Sequence, residues 1–197
     1  MTVRTSQILL VFSAFLAGLV IFAGVIVFAG HYRGAGQGAS AIGGPFKLID
    51  QNGKPITDQD MKGKPSLVFF GYTHCPDICP TTLFEMSEVL RVLGKDADRM
   101  NALFITVDPD RDTPAVMKDY LSSFDPHLRG ATGSQNAIDA AEKDYRVYAK
   151  KAPTSNGDYG MDHSAVIYLM DKDGHFIAPF NLNRKPEVAA KDLQRYL

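Results

Sequence analysis

The sequence predicts an α/β domain, a mixed sheet with helices on both faces, preceded by an apolar amino-terminal segment. Three observations lead to that expectation. Two continuous apolar runs rich in β formers, SLVFFGY (66–72) and ALFITV (102–107), read as strands buried on both faces. Each precedes a stretch that reads as a helix. The chain then closes with an antiparallel hairpin and a last helix, SAVIYLMDKDGHFIAPF and PEVAAKDLQRYL, and such alternation of strands and helices is the pattern of an α/β sheet.

The segment 1–33 reads as a membrane anchor. Between Arg4 and His31 lie 26 residues without a charge, and its apolar body, 8–29, exceeds the roughly 20 residues a helix needs to cross a bilayer core. A cleaved signal peptide has an apolar region of only about 7–15 residues, so an uncleaved single-pass helix is expected. The few flanking positive charges, Arg4 and the amino terminus against Arg33, lean towards an amino terminus inside and a domain outside the cytoplasm. Nothing resembles an Arg- and Ser-rich transit peptide, which favours a bacterial inner membrane with the domain in the periplasm. Residues 34–44, GAGQGASAIGG, form an expected flexible tether, and 45–197 the folded domain. With 22 acidic against 21 basic residues and no basic run, the chain has no electrostatic footprint for nucleic acid.

Within 45–197 the elements follow from local signals. FKLIDQNGKPIT reads as a hairpin turning at Asn52-Gly53. After SLVFFGY, Leu83, Met86, Leu90 and Leu93 recur at helical spacing up to Gly94. ALFITV leads to TPAVMKDYLSSF, a helix with Thr113 as N-cap and Pro114 at its first position. SQNAIDAAEKDYRVYAK reads as one further helix, and the last hairpin turns at Lys172-Asp173-Gly174.

Both cysteines of the chain, Cys75 and Cys79, lie in FFGYTHCPDICPTTL, between a strand and a helix. With Pro80 at the first helical position, Cys79 falls at the cap and Cys75 in the loop above it. The positive end of the helix then favours thiolate at both sulfurs, the form that binds metal or attacks a disulfide. A static disulfide closing so short a loop removes little chain entropy and makes a poor staple. A redox pair stays open, although the familiar redox loop has two residues between its cysteines and this one has three.

FFGYTHCPDICPTTL, ITVDPDRDTP and DYGMDHSAVIYLMDKDGHF together resemble the Sco/SenC family, membrane-anchored copper proteins of cytochrome c oxidase assembly. The likeness runs from about Phe46 to the carboxyl terminus, and anchor plus tether match the family plan. The resemblance implies a thioredoxin-like fold in which Cys75, Cys79 and His163 bind copper. Two soft thiolates and an imidazole suit Cu(I), and a further ligand adapts the set to Cu(II). His163 precedes SAVIYLM and so lies at a strand end, where a doubly wound sheet brings it towards the Cys loop. Thioredoxin-like oxidoreductases generally carry a proline just before that strand; MDHS has histidine there, which favours ligation over disulfide exchange.

Asp162 and the acidic segment DPDRD (108–112) are candidates to orient His163 or to add an oxygen to Cu(II), with Asp108 the better one. The competing reading makes them turn and capping residues, with Arg111 neutralising charge. His74 is expected to point away from its neighbour Cys75. The seven methionines are scattered and read as core filler, with Met161 close enough to His163 to be watched.

The resemblance implies a copper chaperone that serves the dinuclear copper centre of cytochrome c oxidase subunit II, with a periplasmic copper donor and a thiol reductant as further partners. A thiol–disulfide oxidoreductase, using Cys75 and Cys79 to reduce the cysteines of that centre, is the alternative. A peroxidase of the same fold is a third, weaker reading.

Overall fold

The computed structural model describes residues 15–25, 42–154 and 157–197. The chain divides into two units, Met1–Ala39 and Ser40–Leu197. In the first, residues 15–25 are helical, and the rest of the expected anchor lies outside the described residues. Among the described residues no helix is long and apolar enough to cross a membrane. Of the expected tether, residues 42–44 are described and belong to the second unit, where the Gly43 amide donates to the Asp144 carbonyl at 2.8 Å.

The second unit is built on a seven-stranded mixed sheet in the order β2-β1-β5-β4-β3-β8-β9. β1 (Lys47–Asp50) and β2 (Pro55–Thr57) form the expected hairpin, with Gly53 at φ 77° in its turn. β3 (Ser66–Gly71) and β4 (Asn101–Thr106) are the two apolar runs; they pair in parallel, and all six residues of β3 are buried. β5 (Leu128–Thr132) pairs in parallel with β4 and antiparallel with β1. β5 carries only a weak local strand signal, because LRGAT is short and its centre is a glycine, which lowers strand propensity. Gly130 is there for space: a Cβ would come within 2.6 Å of Leu121 and 2.9 Å of Met117.

Helices α1 (Ile78–Leu93), α2 (Pro114–Leu121), α3 (Gln135–Tyr145) and α4 (Pro186–Leu193) cover the sheet. Thr113 caps α2 with Pro114 at its first position, as expected; the Thr113 side chain accepts from the Val116 amide. Both faces of the sheet are covered because neighbours on a strand point opposite ways. Phe69 stacks with Phe104 at 5.9 Å on one face, and Phe104 meets Tyr120 of α2 at 6.1 Å. Phe70, on the other face, meets Tyr145 of α3 at 5.2 Å. Each such fully buried apolar side chain contributes about 1.5–3 kcal/mol, so this central layer is where the fold is held.

The third predicted helix is cut short. It ends at Tyr145, where Arg146 takes a left-handed C-cap conformation (φ 58°), and the following residues form β6 (Ala149–Pro153). β6 pairs antiparallel with β7 (Tyr159–His163) in a separate two-stranded ribbon. The helical reading of RVYAK fails because Arg146 closes the helix and Ala149 and Lys150 pair with β7, a partner that local periodicity does not register. β8 (Ile167–Met170) and β9 (Phe176–Pro179) form the predicted last hairpin, with Gly174 at φ 86° in the turn.

Candidate metal centre

The ends of β3, β4 and β8 converge at one edge of the sheet. β3 and β4 run in parallel with Gly71 opposite Thr106, so the loops that follow them emerge side by side, joined by the Val107 amide donating to the Gly71 carbonyl at 2.8 Å. β8 runs antiparallel to β3 with Ile167 opposite Phe69, so the chain just before β8 arrives at the same edge. Ligand sites of α/β sheets form at such carboxyl ends. Topology thus brings together residues 84 positions apart.

The loop after β3 carries the cysteines. The helix begins two residues earlier than expected: Asp77, not Cys79, is the N-cap and Ile78, not Pro80, the first helical residue, so Cys79 lies inside the first turn and Pro80 at the third position. Pro80 fits there without loss, since the first amides of a helix have no intrahelical acceptor anyway. The loop itself is exposed at His74, Pro76, Asp77 and Ile78, yet both sulfur-bearing residues turn inward, Cys75 at 8% and Cys79 at 0% exposure. The Cys79 amide donates to Cys75 Sγ at 3.4 Å, which ties the loop sulfur to the start of the helix. At Cys79 the expected thiolate is not favoured in the metal-free chain: burial pushes this thiol well above its ordinary range, outweighing a backbone hydrogen bond from Tyr72.

His163 ends β7 and meets this pair. Its Nε2 lies 3.5 Å from Cys79 Sγ, and its Nδ1 lies 3.1 Å from the Ser164 carbonyl. A carbonyl only accepts, so Nδ1 carries the proton and Nε2 presents its lone pair towards the sulfur. Burial lowers the imidazole pKa, with Ser164 and Asp162 opposing, which keeps the ring neutral and able to ligate. The ring is held edge-on to Tyr72 at 5.8 Å and Phe69 at 6.5 Å. The donor atoms of Cys75, Cys79 and His163 all lie within 4.8 Å of one another. Two sulfurs and an imidazole nitrogen at this spacing fit one soft metal ion. Gly71 makes room for them, since a Cβ there would come within 2.7 Å of Cys79 Sγ.

The other sequence candidates fall around this trio. Neither Asp108 nor Asp162 takes the His163 Nδ1 proton, which goes to the Ser164 carbonyl. Asp162 is exposed on β7 and acts on the imidazole through charge. Asp108 is buried and accepts from Arg111 Nε and, at 3.0 Å, from the Tyr159 hydroxyl. His74 makes its contact with Thr73 Oγ1 at 3.0 Å, and Met161 packs against the core. Within the acidic segment the inward-turned carboxylate nearest the Cys loop is Asp112 rather than the favoured Asp108. Fully buried, Asp112 accepts from the Thr73 amide at 3.0 Å and from the hydroxyls of Thr73 and Thr106, each at 2.6 Å. A buried carboxylate taking three hydrogen bonds pins the start of the Cys loop. The acidic segment was visible in the sequence, but which of its carboxylates turns inward was not.

The fold and the site define a class: a thioredoxin-like α/β protein with a dithiol–imidazole cluster at the carboxyl ends of its parallel strands. The chain belongs to the SCO1/SenC family, whose sequence profile matches residues 34–197. It is 44% identical over 149 residues to the mitochondrial protein SCO2 of Saccharomyces cerevisiae, a match that covers 74% of this chain and 50% of the yeast protein. The chain thus spans about half the length of that relative. An SCO2-like protein of Rickettsia felis is 41% identical over 148 residues, covering 74% of this chain and 72% of its own. Among solved structures, copper-bound ScoI of Bradyrhizobium japonicum is 68% identical, with a TM-score of 0.77 over 79% of this chain and 99% of that one. Copper-bound yeast Sco1 is 39% identical, with a TM-score of 0.72 over 79% and 87%.

Proposed function

We propose that this chain is a copper chaperone of cytochrome c oxidase assembly, which holds copper through Cys75, Cys79 and His163 and passes it to the dinuclear centre of subunit II. One observation supports this reading above the others: three donor atoms of the right softness, from segments far apart in sequence, lie within 4.8 Å of one another. Copper is bound in the solved structures of the Bradyrhizobium and yeast relatives, and the Sco family is one of cytochrome c oxidase assembly proteins. The apolar segment 8–29 is the membrane anchor in this proposal, and the domain faces the periplasm of a bacterial inner membrane. A periplasmic donor supplies the metal, and a reductant keeps both thiols free.

The protein's own residues have stated parts. His163 supplies a neutral nitrogen whose direction is set by the Ser164 carbonyl. Cys79 must release its proton as the metal is taken up, so loading is favoured by rising pH. The same buried setting disfavours a bare thiolate once the metal leaves, which favours exchange onto an acceptor's thiols over release into water.

The full-length chain in detergent tests this directly. Reduced, it should retain one copper ion after dialysis; oxidised to the Cys75–Cys79 disulfide, it should retain essentially none. Equal retention by the two forms would remove the three-donor site.

The oxidoreductase reading stays as a second proposal, because the two sulfurs are close enough for a small adjustment to join them. In that reaction two thiols give two electrons and two protons to a partner's disulfide, leaving a disulfide here and two thiols there. His163→Ala separates the two: the chaperone reading expects copper affinity to fall while disulfide formation continues. Unchanged copper affinity would favour the oxidoreductase.

A further inference from the structure

The ribbon that carries His163 has little apolar burial: no residue of β6 or β7 is buried, and Ala149 and Met161 pack only partly buried against the core. Its directional ties run to the loop after β4. The Tyr159 hydroxyl donates to Asp108 Oδ1 at 3.0 Å, and Arg111 Nη1 donates to the Tyr159 carbonyl at 2.9 Å. Arg111 Nε donates to Asp108 Oδ2, and the guanidinium lies 3.8 Å from the centroid of the Tyr159 ring. The Asp108 side chain is fully buried and that of Arg111 only 17% exposed, so solvent screens this pair far less than a surface ion pair. The guanidinium also lies 5.8 Å from the ring centroid of Tyr72, the residue against which the His163 ring rests.

The other end of the same loop holds the cysteines. Asp112 takes the Thr73 amide and hydroxyl, two residues before Cys75. One five-residue loop, 108–112, therefore grips both halves of the metal site: the Cys loop through Asp112, and the His163 ribbon through Asp108 and Arg111. We propose that this loop is a bracket that sets the separation between His163 Nε2 and the two sulfurs, with Arg111 and Asp108 as positioning residues acting through Tyr159. The proposal rests on reading the trio as a copper site.

The chemistry of arginine explains why that residue stands there. Its planar fork reaches the Asp108 carboxylate with one nitrogen and the Tyr159 carbonyl with another while its face covers an aromatic ring. Lysine keeps the charge but has neither the fork nor the face. A residue that merely stabilised the domain would shift unfolding without making the contribution of His163 depend on it; a positioning residue couples to His163.

The experiment compares the full-length chain in detergent with Arg111→Lys, Tyr159→Phe, His163→Ala and the doubles that combine each of the first two with His163→Ala. Cu(I) affinity is read by competition with a chromophoric chelator, and the proximity of the His163 and Tyr72 rings by NMR on the metal-free protein. Arg111→Lys should weaken copper binding about tenfold, the scale of losing an outer partner of a metal ligand. Tyr159→Phe should cost about fivefold, the worth of one hydrogen bond. In either background His163→Ala should cost clearly less than it does in the otherwise unchanged chain, because a displaced imidazole has less left to lose. The contact between the two rings should fade in both variants. The bracket is overturned if the losses multiply independently, or if the ring contact keeps its full strength in the clamp variants. Should Arg111→Lys not fold, Tyr159→Phe makes the same comparison. A wild-type chain that binds no copper would overturn the copper reading, and the metal-free ring contact would still decide the bracket.

Discussion

The central strand β3 and the ribbon strand β7 each deliver part of the candidate metal site, and they are held by different forces. In β3 every residue is buried, and Leu67, Phe69 and Phe70 have no exposed surface. In β7 no residue is buried: Met161 packs only partly buried against the core, and the strand's other contacts are directional ones with Asp108, Arg111 and Tyr72. Apolar burial is strong, collective and tolerant of small errors in position, whereas a buried hydrogen-bonded pair is directional and fails when one partner is lost. The cysteines are thus anchored from the rigid side of the molecule and the histidine from a side set by polar geometry. A site assembled this way can lose its histidine while the domain stays folded.

The largest effect should come from the rigid side. Phe104→Ala, which empties the space between Phe69 and Tyr120, should cost about 3–5 kcal/mol in denaturant unfolding. Lys150→Ala on the exposed face of β6 should stay within about 0.5 kcal/mol. Similar costs for the two would erase the contrast between sheet and ribbon.

Gly71→Ala probes the seam where the core meets the site. The new Cβ would come within 2.7 Å of Cys79 Sγ and 2.8 Å of Phe104, so it should cost about 1–3 kcal/mol as overpacking and lower copper affinity at the same time. Stability lost with affinity intact would show that Cys79 moves without consequence for the metal.

Asp112→Asn is expected to be comparable or somewhat milder. An amide is a poorer acceptor for the three donors that Asp112 receives, and an imperfectly satisfied buried group costs about 1–3 kcal/mol. Hydrogen exchange at the Thr73 and Cys75 amides should speed up while that of β7 changes little. Acceleration confined to β7 would assign Asp112 to the wrong half.

The smallest effect is one of pH, far from the site. His127 lies between Asp125 and Asp98, at 2.6 and 3.1 Å, and these carboxylates raise its pKa above the ordinary 6.5. The folded chain therefore binds this proton more tightly than the unfolded one. The stabilisation is complete below about pH 6.5 and is lost as pH rises through the raised folded value. His127→Gln should flatten the stability profile just above pH 6.5 and leave copper binding unchanged. A profile that stays steep there would assign the slope to another group.

Residue identity and spacing were enough for much of this protein. The two apolar runs became the paired strands at the centre of the sheet; Thr113 and Pro114 opened their helix as a cap and a first residue should; and both hairpins turned where Asn52-Gly53 and Asp173-Gly174 indicated. The cysteine pair was legible as a reactive or ligating pair from its place between a strand and a helix, whereas His163 was singled out by the family resemblance rather than by its own spacing. Only tertiary structure decided what depends on distant partners. Strand β5 forms between β4 and β1 despite a weak local signal. The chain leaves the helix after Tyr145, and Ala149–Pro153 pair with β7. Cys79 is buried deeply enough to hold its proton. His163 Nδ1 donates to a backbone carbonyl rather than to either nearby aspartate, and Asp108 pairs with Tyr159 and Arg111. The physical reason is range: turn and cap preferences act over a few residues and are written in the local sequence. Burial and hydrogen-bond partnership, across 39 positions from Thr73 to Asp112 and 84 from Cys79 to His163, exist only once the chain has closed on itself.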